Sequence, residues 1–182
     1  MIKLVLFGHT GSGKSTSARL AQEFFRSRGL SVAVLKLAEP LYELQGRFYE
    51  LAGRPIDHYA QDQVLLEMIA AQLRRISPTS LVDHFLARLE RTQADVVIND
   101  DLRDFETDYR ALKAHGFRFI RVRCCEEVRL RRLGMRRDLT VEAHSATTAQ
   151  IDLIEPDFVV DNSTDDVEEL RRTLSGVLER LL

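Results

Sequence analysis

The run Gly8-His9-Thr10-Gly11-Ser12-Gly13-Lys14-Ser15 constrains this chain more than any other segment, because it directly follows a short apolar stretch at residues 2–7. Glycines in such a loop let the backbone curl until successive N–H groups point into one concavity, a cradle for phosphate oxygens. Lys14 adds a point charge suited to β and γ phosphates, and the Ser15 hydroxyl is a ligand for Mg²⁺. Ser17, Ala18, Leu20, Ala21, Phe24 and Phe25 follow at helical spacing, which completes the order strand, loop, helix. A helix opening near Gly13 adds the partial positive charge of its N-terminus to the same anion site. The expected ligands are ATP and Mg²⁺, held by Gly8, Gly11, Ser12, Gly13, Lys14, Ser15 and Thr16, with His9 and Thr10 as loop filler.

Further apolar runs at residues 31–35, 96–99, 117–122 and 158–160 alternate with helix-like segments. Five strands joined by crossover helices imply an α/β, three-layer domain whose parallel sheet is covered on both faces. Gly29 and Gly116 stand where helix C-caps belong, and Ser77 before Pro78 reads as an N-cap followed by proline at the first helical position. Val167, Leu170, Leu174, Val177, Leu178 and Leu181 form one stripe of a terminal helix over 165–182. The alternation breaks between Leu37 and Gln93, where three helices are expected over 41–52, 62–76 and 78–93. An excursion at the carboxyl edge of a parallel sheet is a natural cover for a second substrate. The chain thus reads as a single domain over 1–182, with a core of 1–36, 94–128 and 151–182, a helical acceptor-binding region of 37–93 and a lid of 129–150.

With 182 residues the chain can bury a sizeable core unaided. Its 26 basic and 28 acidic residues nearly balance, which argues against a surface built to coat nucleic acid. Cys124 and Cys125 are adjacent, so a mutual bridge would be strained and reduced thiols are expected. The apolar start is too short for a secretory segment or a bilayer span. A cytoplasmic protein with a small-molecule partner is expected, with a homodimer left open.

Two clusters add chemistry. Arg129, Arg131, Arg132, Arg136 and Arg137 form the densest basic group, and Arg129, Arg132 and Arg136 can share one helical face. Guanidinium forks at such spacing can clamp phosphate oxygens from a lid. Asp100 and Asp101 end the third apolar run, and a carboxylate at a strand tip beside the phosphate loop can hold Mg²⁺ or steer it through water. Consecutive side chains on an extended chain point to opposite sides, so one of the two should face the metal. Asp100 joins Ser15 as the metal candidate, and Lys36 at the end of the second run joins the acceptor-side candidates.

With these residues in view, the chain resembles the deoxynucleoside monophosphate kinases of phages and bacteria, a branch of the P-loop nucleoside monophosphate kinases. Val-Ile-Asn-Asp-Asp-Leu-Arg-Asp-Phe-Glu at 97–106 is similar to that family's strand followed by Asp-x-Arg and a downstream Glu, which places Asp101, Arg103 and Glu106. Leu-Ala-Glu-Pro-Leu at 37–41 is similar to its Phe-Ala-x-Pro-Leu segment. Residues 65–78 resemble its helix with a basic residue near the end, which puts Arg75 at the acceptor phosphate. Residues 157–170 resemble its last strand, Asn-containing turn and final helix. The chain departs from the family at His144-Ser145-Ala146-Thr147, which lacks the acid of His-x-Ser-Glu, and at Asp104-Phe105, where the family tends to Phe-Pro.

The resemblance implies a P-loop NTPase fold with strand order 2-3-1-4-5 and ATP-dependent transfer to the 5′-phosphate of a (deoxy)nucleoside monophosphate. Lys14, Asp101, Arg103, Arg132 and Arg136 would be catalytic, with Arg132 also on the nucleotide. Lys36, Arg75, Asp101, Arg103, Glu106 and Arg137 would bind the acceptor. A phosphate monoester, whose second pKa is about 6, already presents an anionic oxygen and needs no strong base. The alternative is a hydroxyl acceptor, for which Asp101 becomes the base. A nucleotide-dependent switch fits less well, because the chain has neither an Asn-Lys-x-Asp motif nor an Asp-x-x-Gly switch after a strand.

Overall fold

The computed structural model describes residues 1–135, 138–140 and 146–182. Strands β1 (Ile2–Phe7), β2 (Val32–Val34), β3 (Val96–Asn99), β4 (Arg118–Arg123) and β5 (Phe158–Asp161) form one parallel sheet. Their order is β2-β3-β1-β4-β5, as the resemblance implies. The central strand β1 pairs with β3 on one side and β4 on the other, so its Leu4, Val5, Leu6 and Phe7 are fully buried. Burial on both faces is why these strands are written as apolar runs and lack strict alternation.

Alternate residues still serve different layers. Leu4, Leu6, Val96, Ile98, Ile120 and Val122 pack under α1 (Lys14–Arg26) and α8 (Val167–Leu178), through Phe25, Leu170, Leu174 and Leu178. Val5, Phe7, Val97 and Phe119 face the other way, onto Val82, Phe85 and Leu89 of α4 (Ser80–Glu90) and Leu112 of α5 (Arg110–Ala114). The excursion after β2 forms α2 (Glu39–Leu51), α3 (Gln63–Ile76) and α4. A smaller cluster of Leu41, Ile69 and Leu81 joins these three helices.

Several boundaries differ from the sequence expectation. Ser77 closes α3 in an extended conformation, and α4 starts at Ser80 after Thr79, because the Ser80 N–H bonds to the Ser77 carbonyl across a turn containing Pro78. The terminal helix starts later than expected, with Asp166 accepting the N–H groups of Glu168 and Glu169 as its cap. A π-helical turn at Phe105–Tyr109 precedes α5, and α6 (Glu126–Gly134) and α7 (Ala146–Ile151) overlap the two ends of the expected lid. Both cysteines are free thiols. No helix among the described residues is long and apolar enough to cross a membrane.

Candidate active site

The phosphate loop is assembled from backbone. Gly8 leaves β1 with φ near +150°, and a Cβ there would lie 2.3 Å from the carbonyl oxygen of Val122 at the neighbouring strand. Gly13 has φ near +100°, and a Cβ there would lie 2.1 Å from Asn162 Nδ2. Both positions admit only glycine, for conformation and for space. Gly13 precedes α1 without a side-chain cap, so the first-turn N–H groups of that helix remain available to an anion. Lys14 Nζ donates to the carbonyls of Gly8 and His9 at 2.9 and 3.0 Å, which folds its charge over the loop. The buried Ser12 hydroxyl finds no partner among the described residues, and the Ser15 side chain is exposed at the helix start.

Lys36 and Asp100 stand just past the ends of β2 and β3, where Lys36 Nζ donates to Asp100 Oδ1 at 2.6 Å and lies 5.5 Å from the Tyr59 ring centre. Burial opposes the Lys36 charge, but Asp100 and Asp101 outweigh it and hold the ammonium above the ordinary lysine range. The Asp101 carboxylate accepts the N–H groups of Leu37 and Ala38 at 2.9 and 3.0 Å and the Asn99 amide at 2.6 Å. Burial pushes the Asp101 carboxyl up against the pull of Lys36 and those two N–H groups. The two aspartates therefore take different partners, Asp100 the Lys36 ammonium and Asp101 the backbone N–H groups that lead into the helical excursion.

Asp101 opens onto a cleft bounded by α2, α3 and the segment after β3. Its walls include Leu37, Leu41, Leu66, Ala70 and Leu81, and its polar groups include Tyr42, Gln61, Gln63 and Glu67. Arg74, Arg103, Asp104 and Asp108 complete the charged lining. Arg74 is tied to Asp108 at 2.6 Å, whereas Arg103 makes no hydrogen bond or ion pair with a described residue. Burial raises the Tyr42 phenol pKa, as does Asp101, while Lys36 and Arg103 pull it down, which puts the Arg103 charge near Tyr42. Burial also pushes the Asp108 carboxyl up to about 6, against the pull of Arg74.

Three acceptor-side expectations fall elsewhere. Arg75 points away from the cleft and bonds Gln72 Oε1 at 3.0 Å, while its neighbour Arg74 lines the cleft. Helical phase explains the exchange: Leu66, Ala70 and Arg74 are successive turns of one face, whereas Arg75 shares a face with exposed Met68. Glu106 pairs with Arg110 one turn on, at 2.8 Å, with both side chains largely exposed. Lys36 is held by Asp100 and is not a lining residue, although its charge reaches Tyr42 in the cleft wall.

The arginines of α6 bind protein carbonyls. Arg129 donates to Thr10 O at 3.1 Å and pairs with Glu126. Arg132 donates to the carbonyls of Asn162 and Thr164 at 3.0 and 2.7 Å, and Arg131 pairs with Asp165. Together with Gly13, Thr16 and Leu170, Arg132 and Asn162 line a second hollow beside the phosphate loop. Asn162 also donates to Ser12 O at 2.8 Å, so the turn after β5 and the phosphate loop brace each other. Arg136, Arg137 and His144 lie outside the described residues.

Sequence reading missed Arg74, Glu67, Asp108 and Asn162 as site residues. The first two were findable from the phase of the apolar residues on α3, and Asn162 from the Asn-containing turn after the last strand. Asp108 carries no such signal.

By sequence, no protein-family profile and no curated protein matches the chain. Solved structures do match in fold. A sugar kinase from Janibacter sp. is 20% identical with a TM-score of 0.52, the alignment covering 98% of this chain and 95% of that one. Shikimate kinase from Aquifex aeolicus is 17% identical with a TM-score of 0.55, covering 98% and 97%. APS kinase from Mycobacterium tuberculosis, in complex with AMPPNP and APS, is 18% identical with a TM-score of 0.52, covering 98% and 97%. The chain therefore shares the P-loop kinase fold across its length.

Proposed function

We propose that the protein is an ATP-dependent kinase of a small anionic acceptor, and that this acceptor is a (deoxy)nucleoside monophosphate. The observation that carries the reading is Arg103, a part-buried guanidinium without a partner among the described residues, in a cleft that follows β3, the strand paired with β1 ahead of the phosphate loop. Arg74 in the same cleft is paired with Asp108, and a guanidinium with no described partner there suits an anion. The resemblance at 97–106 points to the same residue.

In this reading the loop N–H groups and Lys14 hold the donor phosphates, and the hollow lined by Arg132 and Asn162 takes the base of ATP. Ser15 and Asp100 would supply the hard oxygen donors that suit Mg²⁺. When bound, that ion neutralises charge between the β and γ phosphates. Lys36 sets the Asp100 carboxylate, while Arg103 aligns the acceptor phosphate with the donor. Catalysis then rests on alignment and positive charge, since the attacking oxygen is already anionic.

A hydroxyl acceptor is the second reading. It is favoured by Asp101, whose raised carboxyl faces the cleft, and by fold neighbours named as kinases of a sugar, shikimate and APS. The three backbone and side-chain donors already on Asp101 count against its service as a base. A coupled ADP-release assay with ATP, Mg²⁺, nucleoside monophosphates and their unphosphorylated counterparts separates the two. Turnover with monophosphates is expected; turnover confined to unphosphorylated acceptors would overturn the main reading in favour of the second.

A further inference from the structure

Six charged side chains line the acceptor cleft: Glu67, Arg74, Asp101, Arg103, Asp104 and Asp108. Four are engaged by the protein. Asp101 is held by backbone N–H groups, Asp104 caps the π-helical turn through Thr107 N and Asp108 N, and Arg74 is paired with Asp108. Glu67 and Arg103 remain, opposite in charge and without a hydrogen bond or ion pair to a described residue. Glu67 lies one turn after Gln63 on the face of α3 that also presents Leu66 and Ala70 to the cleft. A ligand complementary to this cleft has an anion at one place, an apolar-faced body and a hydrogen-bond donor at another.

We infer that Glu67 is a specificity-determining residue, accepting a hydrogen bond from the exocyclic amino group of the acceptor's base while Arg103 takes its phosphate. This rests on the monophosphate reading. A carboxylate is acceptor-only, so a base that presents a carbonyl oxygen at this point meets repulsion where an amino group meets a bond. The preference therefore runs toward cytosine over uracil, whose carbonyl replaces the amino group, and toward guanine over hypoxanthine, which lacks the amino group and so forfeits the bond. Leu66 and Ala70 supply the apolar contact that a planar base needs and that a compact amino-sugar does not.

The test uses matched pairs differing in that amino group, dCMP against dUMP and dGMP against dIMP, in the full chain with ATP and Mg²⁺. At least one pair should differ by about tenfold or more in kcat/KM, mainly through KM, the scale of a charge-assisted hydrogen bond. Glu67→Ala should bring that ratio near one. Its Tm and its KM for ATP should stay at the wild-type values, since Glu67 has no described partner to lose. Equal turnover within both pairs in the wild type, or a preference that survives Glu67→Ala, would overturn the role of Glu67 and leave the monophosphate reading standing. Turnover of unphosphorylated acceptors alone would overturn both.

Discussion

The phosphate loop and the cleft below Asp101 are built by opposite means. The loop at 8–15 is made of backbone: left-handed glycines, helix N–H groups and a lysine folded onto two carbonyls, all within eight consecutive residues. The cleft is made of side chains from α2, α3 and the segment after β3, up to 71 positions apart between Leu37 and Asp108. Backbone geometry tolerates few sequences, so the loop is stereotyped and readable. A side-chain cleft can be lined in many ways, and that freedom is what lets one phosphate cradle serve different acceptors.

Substitutions can break this contrast. The largest effect is expected for Lys14→Ala, a loss of about 10² to 10⁴ in kcat/KM by steady-state kinetics with unchanged far-UV circular dichroism. Gly13→Ala comes next: its Cβ would meet the Asn162 amide at 2.1 Å and its backbone would be strained, so urea unfolding should register a loss of about 1–3 kcal/mol. A purely side-chain loop would show no such penalty. Arg103→Ala should raise the acceptor KM about 10- to 100-fold and leave the KM for ATP within about twofold. Equal losses for both ligands would remove the division between the halves.

Smaller effects sharpen the picture. Burial raises the Asp108 carboxyl from 3.8 to about 6, against Arg74 and with help from Asp104 and Asp101. Between those values the native protein keeps a proton that the unfolded chain has released, so this group lowers stability as pH rises through that window. Asp108→Asn should flatten that part of the stability–pH profile, measured by chemical unfolding at pH 4, 5, 6 and 7. The smallest effect is expected for Arg75→Ala, whose described bond is to exposed Gln72: less than about a twofold change in either KM.

The parts of the site that were legible share a physical property. Asp100 and Asp101 could be recognised as a strand-tip pair, and the rule that alternate residues face opposite layers says one belongs to each face. Which partner each aspartate meets depends on crossovers that no local pattern reveals: Asp100 takes the Lys36 ammonium and Asp101 the N–H groups of Leu37 and Ala38. On α3 the local signal was a basic pair, Arg74 and Arg75, and the choice between them rests on which face of the helix meets the cleft. The arginines of α6 show how local spacing leaves partners open. Their spacing suits a phosphate clamp, yet Arg129 and Arg132 bind carbonyls of the phosphate loop and of the turn after β5.

What the sequence determined by itself was the strand, loop and helix of the phosphate cradle and the succession of buried strands, since both follow from short-range geometry and periodicity. Only the tertiary structure decided that Asp100 and Asp101 take different partners, that Arg74 enters the cleft where Arg75 does not, and that Arg103 and Glu67 stand there without partners among the described residues. Those outcomes depend on which helices the long excursion brings over the sheet tip. Burial and pairing are properties of neighbours in space, and residues separated by tens of positions become neighbours only when the chain has folded.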